Sequence, residues 1–136
     1  MHSKEHLKLI HPPSLRPEDW LRFVLIDPFP GQWARLKLTE AAMQALEVCI
    51  LSAPLMGSVI PGTGGLRKAR FTSPGSDKGK SGAYRVFYVY FPEYGTVILW
   101  AIVAKGQSAD LRAADRNAIA KQIGRFKRLL DQGVIR

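Results

Sequence analysis

"YRVFYVYFPEYGTVILWAIVAK", residues 84–105, reads as two strands joined by a turn. The first half alternates Tyr84, Val86, Tyr88 and Tyr90 with Arg85, Phe87, Val89 and Phe91, the period of two that a β-strand imposes on side chains directed to opposite faces. "PEYG" supplies the turn, and "TVILWAIVAK" at 96–105 returns the chain, so an antiparallel hairpin is the natural pairing. The apolar run "VILWAIVA" at 97–104 is eight residues long, far short of the ~20 that span a bilayer, and is expected to be a buried strand.

Upstream of the hairpin, "FVLI" within residues 20–30 predicts a strand at about 22–26, ended by Pro28 and Pro30. Thr39 then opens "TEAAMQALEVCILSAP", with Glu40 in the first turn and Met43, Leu46 and Ile50 at helical spacing before Pro54. Cys49 lies on or beside that apolar stripe and reads as a small buried thiol. "LRKARF" at 66–71 fits a further strand, and "TSPGSDKGKSGA" at 72–83 a flexible loop. At the far end, Asp110 can cap a helix with Ile119, Ile123, Phe126 and Leu130 on one side and Gly133 beyond its end. The opposite side, Arg116, Lys121, Arg125 and Arg128, reads as a solvated face. The expected order is strand, helix, three strands, helix: an α+β domain with a small, mostly antiparallel sheet of about four strands packed with helices.

The chain has 136 residues, enough for one domain that buries about two thirds of its unfolded surface. Residues 1–20 are expected to be a tail or arm, with Pro12, Pro13 and Pro17 and no regular period, and residues 21–136 the domain. Twenty Lys and Arg oppose 11 Asp and Glu, a formal net charge of +9, which favours an anionic partner, nucleic acid first. The lone Cys49 cannot form an internal disulfide, and the amino end lacks the order of a secretory leader, so a cytoplasmic protein is expected. The three histidines, His2, His6 and His11, all precede residue 12. Neither a zinc site nor a histidine-pair ribonuclease can be assembled in the domain unless the tail folds back to supply imidazole.

The positive charge is concentrated. Between Leu66 and Arg85 lie Arg67, Lys68, Arg70, Lys78, Lys80 and Arg85 against the single acid Asp77. In a strand, Lys68 and Arg70 share a face with side chains about 7 Å apart, while Arg67, Ala69 and Phe71 face the other way. Cations so close repel, a cost recovered when an anion such as phosphate sits between them. The preceding "IPGTGG" offers glycines, but "GTGGLRK" has neither the Walker spacing nor a Ser or Thr after its lysine, nor the last glycine of a dinucleotide fingerprint. A tight turn that launches the strand is the better reading of those glycines.

"GSVIPGTGGLRKARF", then the basic loop "GSDKGKSGAYRVFYVY", then "ILWAIVAKGQSADL" resemble, in that order, the signature of the RelE/HigB-like toxins of bacterial toxin–antitoxin systems. The resemblance covers about residues 22–130. It implies a compact RelE-like fold, metal-independent cleavage of messenger RNA on the translating ribosome, no cofactor, and neutralisation by a cognate antitoxin that often carries a helix-turn-helix domain. Lys68 and Arg70 match the family's paired basic strand positions and Arg85 the arginine that opens the next strand, which implies transition-state stabilisation by these three. Lys68 or Lys105 is then the candidate base, and Arg67, Lys78 and Lys80 are expected to contact the RNA backbone. Where many relatives read "YAKNE" this chain reads "VAKGQ" at 103–107. That departure keeps open a catalytically silent relative that retains nucleic-acid or antitoxin binding, and because the two activities share a fold, a ParE-like inhibitor of DNA gyrase stays open as well.

Overall fold

The computed structural model of the chain describes residues 2–4, 21–73, 83–104 and 111–133. Its elements run β1 (His2–Lys4), β2 (Arg22–Leu25), α1 (Phe29–Arg35), α2 (Glu40–Ser52), β3 (Ser58–Val59), β4 (Arg67–Thr72), β5 (Ala83–Phe91), a single 3₁₀ turn (Pro92–Tyr94), β6 (Thr96–Ala104) and α3 (Ala113–Asp131). The strands form one sheet in the order β1-β2-β6-β5-β4-β3. Every neighbouring pair is antiparallel except β2 and β6, which run parallel with Arg22 beside Thr96 and Leu25 beside Leu99. The domain is thus α+β with a mostly antiparallel sheet. Four strands are four residues or longer, and the short β1 and β3 extend the two edges.

The hairpin is the centre of this sheet. β5 alternates strictly: Val86 and Tyr88 enter one apolar layer, Phe87, Val89 and Phe91 the other. The first layer is closed by Phe29 from α1 and Met43, Leu46 and Ile50 from α2, and the second by Ile123 and Leu130 from α3. With helices on both faces, the central strands bury side chains on each, so the continuous apolar run of β6 follows from its position.

Thr39 caps α2 as expected, its Oγ1 accepting from the Ala42 N–H at 3.1 Å. The expected Asp110 cap lies outside the described residues; Asp115 instead accepts from the Arg112 N–H at 3.1 Å where α3 begins. Helix α1 is an addition to the expected order. Pro28 and Pro30 do end the strand, but they also open this helix, because proline is tolerated in a first turn whose N–H groups have no intrahelical partner. Its Gln32 side chain accepts from the Ile102 N–H at 2.8 Å, which satisfies β6 beyond the point where β2 stops. No described helix is long and apolar enough to cross a membrane.

Candidate nucleic-acid interface

The site is built on β4, and β4 is positioned by the glycine-rich turn before it. Buried Thr63 organises that turn: its Oγ1 donates to the Ile60 carbonyl at 2.7 Å and accepts from the Leu66 N–H at 3.0 Å. Gly62 and Gly64 hold φ of 81° and 79°, the left-handed region that glycine enters without penalty. A Cβ on Gly64 would stand 3.6 Å from the Ala120 Cα, so the turn also rests on α3. Arg116 fixes the same contact, donating from Nε to the Leu111 carbonyl at 3.1 Å and from Nη1 to the Pro61 carbonyl at 3.3 Å. The glycines are structural: they seat the turn against a helix and aim the strand that follows.

From that start, alternation sorts the cations. Ala69 and Phe71 enter the layer under α1 and α2, so Lys68 and Arg70 stand on the α3 face, and Arg85 joins them by its parity with Phe87. Arg70 is directly opposite Arg85 in the β4–β5 ladder, and Lys68 is opposite Phe87. Directly opposed residues have Cβ atoms about 4.5–5.5 Å apart, so the three cations occupy one small patch. Arg70 and Arg85 are exposed and Lys68 is half-buried. None of the three forms an ion pair or a side-chain hydrogen bond with a described residue.

Arg67 is different in kind. It lies on the opposite face, where its Nη1 donates to the Gly57 carbonyl at 2.6 Å and the Leu55 carbonyl at 3.4 Å. Its guanidinium therefore ties the segment after α2 to β4, and it is not part of the Lys68 patch. Tyr88 serves the same segment: fully buried, its hydroxyl donates to the Pro54 carbonyl at 2.8 Å and accepts from the Gly57 N–H at 3.3 Å, and burial pushes its pKa up. It offers no surface to a base. Tyr84 and Tyr90 also pack against the α1/α2 layer, so among the described residues no tyrosine of β5 shares a face with the cations. Cys49 is half-buried, near Met56, with its thiol pKa raised by burial. Lys78, Lys80 and Lys105 lie outside the described residues, as does most of the expected loop at 72–83.

One feature of the α3 face has no trace in the alternation of the sequence. The β5–β6 register shifts between Phe87, opposite Ala101, and Tyr88, opposite Leu99. The extra residue is Trp100, and the bulge turns both Trp100 and Ala101 towards α3. Trp100 meets Phe126 of α3 edge to face, with ring centroids 6.0 Å apart. A cleft of about 230 Å³ lies between the start of α3 and the sheet, lined by Pro28, Leu66, Phe87, Trp100, Ala101, Val103, Leu111 and Ile119. Phe87 and Val103 on its floor are the ladder partners of Lys68 and Arg85 respectively.

Three cations with no counter-charge among the described residues, two of them directly opposed, can hold a phosphodiester and stabilise added negative charge on it. Compared with known protein families, the chain matches no family model.

Proposed function

We propose that the protein is a metal-independent endoribonuclease that cuts messenger RNA on the translating ribosome, the toxin of a toxin–antitoxin pair held in check by a cognate antitoxin protein. One observation carries the reading: Lys68, Arg70 and Arg85 stand together on one face of β4 and β5, unneutralised by any described acid. Directly opposed like charges weaken a sheet, and a bound polyanion removes that penalty. The resemblance of the flanking blocks to RelE/HigB-like toxins supports the choice of RNA, and the net charge of +9 agrees with it.

In the proposed reaction the ribose 2′-oxygen attacks the adjacent phosphorus and the bond to the 5′-oxygen breaks, leaving a 2′,3′-cyclic phosphate and a 5′-hydroxyl. Arg70 and Arg85 hold the non-bridging oxygens as charge builds on the phosphorane. The 2′-hydroxyl loses a proton and the departing 5′-oxygen gains one; Lys68, half-buried at the edge of the patch, and Lys105 are the two candidates to carry a proton.

The test is a cell-free translation reaction in which messenger RNA 5′ ends are mapped with the wild-type protein and with Lys68→Ala and Arg70→Ala. New ends with the wild type and their loss in both variants are expected. Intact message would overturn the nuclease reading, and message cut equally by both variants would overturn the site.

A further inference from the structure

The cleft under the first turns of α3 is a half-open apolar depression of about 230 Å³. Water in it finds few partners, because the side chains around it are apolar, the Trp100 indole N–H aside. A flat, largely apolar group suits it better: Phe87 and Trp100 supply aromatic surface, Ala101 and Val103 a shallow floor.

Its position gives the occupant. Two floor residues are each one strand spacing from a cation, Phe87 from Lys68 and Val103 from Arg85, and that spacing is about 4.7–4.9 Å. A group that enters the cleft thus has an anion-holding patch on the neighbouring strand, as a nucleobase has its phosphate across one ribose. We infer that the cleft takes the nucleobase adjoining the phosphate held by Lys68, Arg70 and Arg85. This inference rests on the reading of those cations as an RNA site. The bulge directs Trp100 and Ala101 to the same face, and both line the cleft. With apolar walls, the cleft reads the face and bulk of a base rather than its hydrogen-bonding edge, so it binds every base and discriminates weakly among them.

The test compares two probes by fluorescence anisotropy over a salt series: a short 2′-O-methylated oligoribonucleotide, uncleavable because its 2′-oxygen cannot attack, and the same backbone without bases. The wild type is expected to bind the base-bearing probe between about fivefold and a hundredfold more tightly, the range of one stacked base. Ala101→Leu, which fills the cleft, is expected to abolish that preference while leaving affinity for the abasic probe and its salt dependence intact. A preference that survives Ala101→Leu in a folded protein overturns the inference and spares the cation site. Failure of the wild type to bind either probe in a salt-dependent way overturns the cation site, and the inference with it. Should Ala101→Leu fold poorly, a protein carrying Trp20→Phe and Trp33→Phe leaves Trp100 as the sole indole: quenching by the base-bearing probe alone supports the inference, and equal response to both probes refutes it.

Discussion

Replacing Arg70 by glutamine is expected to stabilise the fold while it removes the proposed messenger cleavage. Arg70 stands opposite Arg85 and two residues from Lys68 on the same face, with no described acid to offset any of them. Taking about 7 Å to each neighbouring charge, as strand geometry gives, each repulsion in water is about 0.6 kcal/mol, so two neighbours give about 1 kcal/mol at low ionic strength. A screening length of about 8 Å at physiological salt cuts this to about half or less, in keeping with the small energies of exposed charge pairs. For a domain of this size such a gain raises Tm by about 2–5 °C in dilute buffer, and the gain shrinks as salt is added. The assay is thermal unfolding by circular dichroism over a salt series, alongside messenger cleavage. A loss of stability in Arg70→Gln, independent of salt, would show that the guanidinium has a structural partner and would refute the reasoning.

Tyr88→Phe leaves the Pro54 carbonyl and Gly57 N–H without their buried partner and should cost about 1–3 kcal/mol in urea unfolding, with cleavage per folded molecule unchanged; a neutral effect would contradict the anchoring role. Arg67→Ala should likewise lower stability, through loss of its bond to the Gly57 carbonyl, and should weaken RNA binding less than Lys68→Ala does when both are titrated with one oligonucleotide. The Tyr94 hydroxyl donates to Asp131, which, with Lys127 beside it, holds that carboxyl below the usual range and raises Tyr94 to about 12. A depressed carboxylate stabilises above its unfolded value, near 3.9, and loses that contribution as pH falls through the folded value. A phenol raised to about 12 contributes below its unfolded value, near 10, and loses that contribution as pH rises through the folded one. Tyr94→Phe should therefore unfold at a lower temperature than the wild type between about pH 5 and 9, with the difference closing at acid pH; a constant difference down to the lowest pH would remove the link.

What the residues reveal about themselves depends on whether the cause is local. The hairpin, the Thr39-capped helix and the face shared by Lys68 and Arg70 follow from alternation, helical spacing and a capping hydroxyl, each written within a few residues. The glycine turn was legible as a turn, but its packing against Ala120 depends on a helix more than fifty residues away. Helix α1 was hidden by its prolines, whose usual reading as breakers fails in a first turn. Arg67 carries the same charge as its neighbours, and only the placement of Leu55 and Gly57 shows that backbone carbonyls take its donors. The cleft was the least legible part. Two of its lining residues, Trp100 and Ala101, share a face only through a register shift between two strands, and the one local hint was an aromatic, Trp100, within an aliphatic run.

If Lys68, Arg70 and Arg85 hold an RNA phosphodiester while its own 2′-oxygen cuts it, the ends of the fragments carry the signature of that chemistry. Message recovered from a translation reaction containing the wild-type protein should carry 2′,3′-cyclic phosphate and 5′-hydroxyl ends, and the protein with all three residues changed to alanine, folded by circular dichroism, should yield none. Ends bearing a 5′-phosphate and 3′-hydroxyl, or the same fragments from the triple variant, would contradict the account.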